Sequence, residues 1–202
     1  MQTVEYAGPP LPLRSHPWTD AANNSQFRYY DFVEAPELIR TVLEDLLPWQ
    51  HTPAMERFYT LLEWINATTG ALESNDCEFT GPQANWYPHV AATLVCSGRV
   101  MLLYRELARN LPVAAMPRLA QRLQIALAHK DPTFMRGMVS TAIVPVRFLA
   151  VSSQPGATTD SAQVGTQLMI SFWAWGDSDD ETFGNLDRTL QNLADALRTV
   201  TQ

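Results

Sequence analysis

The sequence predicts an α+β domain: an N-terminal helical hairpin and further helices packed with a small antiparallel sheet, closed by a long C-terminal amphipathic helix. Three observations carry this expectation. Apolar residues recur at helical spacing in two proline-initiated segments between Pro36 and Ile65. Two later runs, Ser140–Ser152 and Gly165–Trp175, alternate as strands do. The residues from Phe183 to Val200 hold an apolar seam of strict heptad spacing.

Residues 1–27 read as a Pro-rich extended arm, because Pro9, Pro10, Pro12 and Pro17 interrupt any periodicity. Residues 28–202 read as a single α+β domain, which is the simplest partition of a chain of 202 residues. Hydrophobic residues at 46% against charged residues at 17% supply a full core without disulfide staples. Phe27–Phe32 is aromatic enough for a short strand or anchoring turn. Pro36 opens the first helix, with Leu38, Ile39, Val42, Leu43, Leu46 and Leu47 on its face, and Pro48 ends it. Thr52 caps a second helix, whose face is Met55, Phe58, Tyr59, Leu62 and Ile65. So short a link makes the two an antiparallel hairpin.

Leu72–Trp86 is the most polar stretch and reads as the junction of the domain. Val90–Cys96 fits no single period. Arg99–Arg109 is read as helix on its Met, Leu, Arg, Glu and Ala content, and Met116–His129 as another. In the strand run at 140–152, Pro145 cannot donate to a ladder, which predicts an open sheet edge there. The polar link Ser153–Val164 is long for a hairpin. Asp177–Asp179 offers N-caps for the last helix, and Asp180 and Glu181 suit its start. Its seam, Phe183, Leu186, Leu190, Leu193, Leu197 and Val200, packs on the chain's own core or serves a homodimer.

Bulk chemistry excludes several classes. A net charge of −7 leaves no positive field for nucleic acid. The chain starts without a basic-then-apolar leader, and no apolar run approaches the length of a membrane span, so a cytoplasmic setting is expected. Two cysteines make no disulfide framework. Scattered histidines, no paired Cys motif and no glycine-rich phosphate loop leave no metal and no cofactor as the expectation.

Three sets of side chains remain. Cys77, His89 and Asp76 could form a thiol, base and orienting acid for a small hydrolase or transferase. The neighbouring acids oppose this, because negative charge raises a thiol's pKa. Glu73, Asp76 and Glu78 also suit ion pairs with Arg99 and Arg105, which would make the stretch an electrostatic clasp between the two halves of the domain. Trp173 and Trp175 share a strand face that opens on Asp177, and with Asn85, Trp86, Glu73 and Glu78 they form the candidate binding set for a partner or a small molecule. The expected function is a cytoplasmic, non-enzymatic protein-binding factor of the inhibitor, immunity, adaptor or chaperone kind. Its partner would be another protein, basic for reasons of charge, and neither nucleic acid nor membrane.

Overall fold

In the computed structural model, which describes residues 1–17, 30–148 and 163–201, the first regular elements are strands. β1 (Gln2–Glu5) and β2 (Arg14–His16) precede α1 (Pro53–Ile65), β3 (Leu72–Ala84), β4 (Leu94–Tyr104), α2 (Ala115–Lys130), β5 (Gly137–Phe148), β6 (Gln163–Gly176) and α3 (Asp179–Thr201). The sheet runs β1-β5-β6-β4-β3, with β2 also on β5. Pairing is antiparallel among the four long strands and parallel where β1 and β2 meet β5. The fold is therefore a mixed six-stranded sheet with helices on one face and not the small antiparallel sheet expected, because the N-terminal arm adds β1 and β2 in parallel.

The N-terminal helical hairpin does not form. Only α1 is an α-helix, with the Thr52 side chain accepting from the Met55 amide. Its predicted partner reduces to two 3₁₀ turns, Pro36–Arg40 and Leu47–Trp49. Packing overrides its helical spacing, since local propensity is a weak preference beside tertiary context. Its apolar residues still pack on the core, with Ile39 and Leu46 fully covered. The second correction concerns Arg99–Arg109, whose first part, to Tyr104, lies in β4 and whose end, Leu107–Arg109, is a 3₁₀ turn, so no α-helix forms there. Val100, Leu102 and Tyr104 join the core under the helices, while Met101 and Leu103 are buried on the other face. A strand covered on both faces shows no clean alternation, and packing overrides helix propensity. The polar junction at 72–86 is the third correction: Leu72–Ala84 is β3, the outermost strand.

The later elements fall where periodicity places them, with α2, β5, β6 and α3 within a few residues of their expected bounds. Residues 149–162, which hold most of the polar link and the end of the first strand run, lie outside the described residues, as do Phe27–Tyr29 of the aromatic segment. The edge expected to be open at Pro145 is lined by the arm itself. Glu5 pairs with Thr141 and Arg14 with Val146. The nine steps from 5 to 14 therefore span five steps of β5, and the excess arm leaves the ladder where Pro145 has no N–H to offer.

One continuous core lies between the sheet and α1, α2 and α3. Leu186, Leu190, Leu193 and Leu197 of the heptad seam are fully buried in it, and Phe183 and Val200 are 8% exposed. The seam is thus consumed within the chain and offers no face to a second copy. Two smaller clusters sit on the opposite face. The β3–β4 loop folds Tyr87, Val90 and Ala92 over Val95, Met138 and Trp175 at one end. At the other end Leu111 covers Leu103, Val146 and Phe148.

Gly98 shows how tightly the main core is closed. A Cβ there would lie 2.5 Å from Phe172 Cζ and 2.8 Å from the Glu78 carbonyl oxygen. Neither neighbour can move, since Phe172 is fully buried against Phe58 and Glu78 is held in the ladder. Gly98→Val is expected to cost about 1–3 kcal/mol or more through overpacking. A urea melt measures this, and a midpoint equal to wild type would contradict the packing described.

Candidate functional site

The open face of the sheet carries a polar cluster centred on β3. Leu72, Cys77 and Phe79 turn toward the helices and pack with the main core. Glu73, Asp76 and Glu78 lie opposite Leu103, Met101 and Arg99 on the other side. Asp76 accepts from Arg14 Nη1 at 2.9 Å and from Arg99 Nη2 at 3.2 Å, and Arg99 Nη1 reaches Glu78 Oε2 at 2.6 Å. His16 Nδ1 is 2.6 Å from Asn75 Oδ1, and its Nε2 is 3.4 Å from Glu73 Oε1. Asn75 in turn donates to Gln167 Oε1 at 2.9 Å, inside a buried carboxamide pair.

These contacts set the shape of the sheet. β2 pairs with β5, three strand positions from β3. In a flat sheet β2 would then lie a fourth spacing out, about 19 Å from β3. Arg14 and His16 nonetheless touch Asp76, Asn75 and Glu73. The sheet is therefore strongly curled, and its open face is concave with the arm bridging the two sides.

Arg99 is clasped as the sequence suggests, but the clasp joins adjacent strands and not two halves of a domain. Arg105 takes a different part. It donates to the carbonyls of Ala67, Thr68 and Leu72 and holds the α1–β3 connection. Arg14, His16 and Gln167 are the cluster members that sequence reading passes over. No local signal marks them, because they meet β3 only through the curl of the sheet.

The thiol and imidazole do not assemble. Cys77 lies on the helix side of β3, where burial first and then the charges of Asp76 and Asp45 push its thiol up to about 12 against the pull of Arg99. His89 is exposed in the β3–β4 loop, with its ring 5.7 Å from that of Tyr87. Tyr87 packs with Trp175 on the opposite face. Asp76 is committed to two arginines.

The binding set divides into two places. Glu73 and Glu78 belong to the β3 cluster. Asn85, Trp86, Trp173, Trp175 and Asp177 lie at the loop-covered end of the open face. There Trp175 is fully buried and donates through Nε1 to Asn85 Oδ1 at 3.2 Å. The Asn85 amide donates to the carbonyls of Tyr87, Val90 and Ala92, which shapes the loop. Trp173 is half-buried beside it, and Trp86 is exposed. Asp177 accepts from the Thr93 amide and pairs with Arg136 at 3.4 Å. Trp175 and Asn85 are thus the internal frame of this end, and Trp86 and Asp177 are its exposed part.

Among the described residues no three His, Cys, Asp or Glu side chains come together to hold a metal ion. No helix among them is long and apolar enough to cross a membrane. Comparison with protein-family models, with curated proteins and with solved structures finds no match for this chain.

Acidic charge is unevenly placed. Asp31, Glu34, Glu37, Glu44 and Asp45 are all exposed, and none forms an ion pair among the described residues. The only Lys or Arg of that segment, Arg40, is spent on Glu56 at 2.7 Å and Glu63 at 2.5 Å from α1. Trp49, which closes the segment, contacts Phe183 of α3 with ring centroids 5.4 Å apart. That contact brings the acidic segment beside the exposed Asp179, Asp180 and Glu181 of the first turn of α3.

Proposed function

We propose that the protein is a cytoplasmic, non-enzymatic protein-binding factor that takes a basic partner through its acidic segment. The five exposed carboxylates between Asp31 and Asp45, which form no ion pair among the described residues, are the observation that carries this reading. Exposed acids without local cations repel one another, and a partner's lysines and arginines relieve that repulsion while speeding encounter. The non-enzymatic part rests on the thiol of Cys77, which burial and acids hold protonated.

The reading predicts capture of a basic protein from native lysate at about 0.05 M salt and its release at about 0.5 M, where screening acts within a few ångströms. The variant Glu37→Lys/Glu44→Lys/Asp45→Lys is expected to capture nothing while keeping its melting temperature, because exposed substitutions away from packed features cost little. Capture that survives both salt and charge reversal would remove the basis of the proposal.

A further inference from the structure

We infer that the outer edge of β3 is a strand-addition site, where an extended segment of the partner bearing lysine or arginine joins the sheet beside Asp76–Thr80. This rests on the protein-binding reading above and specifies how the partner is held.

The sheet has two borders. At β5 the border is taken by the chain's own β1 and β2. At β3, among the described residues, the backbone pairs with β4 alone. Side chains satisfy the start of that edge, since the Ser74 amide donates to Asn66 Oδ1 and the Leu72 carbonyl accepts from Arg105. Beyond Ser74 the edge continues through Asp76–Thr80. The outward N–H and C=O groups there are a template for another strand.

The length of the template is defined by irregularities. Register shifts fall between Ser74 and Asp76 and between Thr80 and Gln83, where Pro82 also removes a donor. Between them Asp76–Thr80 pairs without interruption with Met101–Ser97. Bulges and proline are the usual means of stopping unwanted pairing. Here they bracket a regular stretch and leave it available.

Charge decides the occupant. On the concave side Glu78 keeps 46% of its side chain exposed despite its bond to Arg99. On the helix side Asp45 is exposed and close enough for its charge to act on the Cys77 thiol. Successive residues of an added strand point to opposite faces. Two adjacent cations would therefore meet Glu78 and Asp45 respectively. A second copy pairing antiparallel about Cys77 would instead set Asp76 against Glu78 twice, and like charges directly opposite are destabilising. The edge favours a basic strand over itself.

The test uses the full chain and a positional-scanning library of fluorescent peptides of about nine residues on a Thr/Val background. Selected peptides are expected to carry Lys or Arg at two adjacent positions and to slow amide exchange across Asp76–Thr80. Methylating alternate backbone nitrogens of the best peptide should weaken it about tenfold or more, because strand addition depends on main-chain bonds. Asp45→Asn, at an exposed position, and Glu78→Gln should each weaken it several-fold. No selection above background, equal binding of the methylated peptide, or protection confined to β5 or α2 would overturn the inference. Salt-sensitive capture of a protein that leaves β3 amides unprotected sinks strand addition but spares the protein-binding reading. Peptide protection of β3 with no protein captured does the reverse.

Discussion

Iodoacetamide at neutral pH is expected to leave Cys77 and Cys96 almost unmodified in the folded protein and to alkylate both in denaturant. Alkylation proceeds through the thiolate. Burial pushes each thiol from 9.0 up to about 12. At neutral pH that leaves about a thousandth of the thiolate an unperturbed cysteine would hold. For Cys96 the cause is full enclosure, eased by its contact with the Ala174 carbonyl at 3.7 Å. For Cys77 the acids beside it add to burial. A mass-spectrometric time course reads both sites, and Cys77 reacting faster than free cysteine would restore the thiol chemistry set aside above. The same shifts carry a sign for stability. The folded state holds these protons more tightly than the unfolded chain, so their contribution is complete below the ordinary thiol range. It is lost as pH rises from there toward 12.

Trp175→Ala is expected to cost about 3–5 kcal/mol, among the largest single-residue losses in the fold. The indole is fully buried with Val95 and Met138, and its Nε1 holds Asn85. Removing it opens a cavity and frees the side chain that ties Tyr87, Val90 and Ala92 together. Trp173→Ala, at a half-buried position two residues earlier, is expected to cost markedly less. Urea denaturation of the two variants separates a structural tryptophan from a surface one. Equal and small losses would instead mean that the β3–β4 loop does not seal this end of the sheet.

The two tryptophans also show where sequence reading stops. Their shared strand face is evident from alternation, and β6 confirms it. That one indole is sealed and the other partly open depends on a loop that begins about ninety residues earlier, at Asn85. Likewise the ion pair of Arg99 with Asp76 and Glu78 follows from charge balance in an apolar run. The second arginine on Asp76 comes from Arg14, and no window of sequence relates the two.

Elements whose chemistry is local could be read directly. The Thr52 cap with Pro53, the alternating runs of β5 and β6, and the heptad spacing of α3 each carry their own period or terminator. Where burial on two faces or at an edge sets the structure, local signals mislead. β4 has apolar residues on both sides and so resembles a helix, although its place between β3 and β6 makes it a strand. The residues after Pro36 have helical spacing, but packing on the core overrides it and keeps only short 3₁₀ pieces. The stretch from Leu72 to Trp86 is polar because most of it forms the border of the sheet, facing solvent along one edge and arginines across a curled face. Periodicity and capping act within a few residues and are written in the chain. Strand order, curl and the choice of which edge stays open are set by contacts between distant segments, and only the folded arrangement decides them.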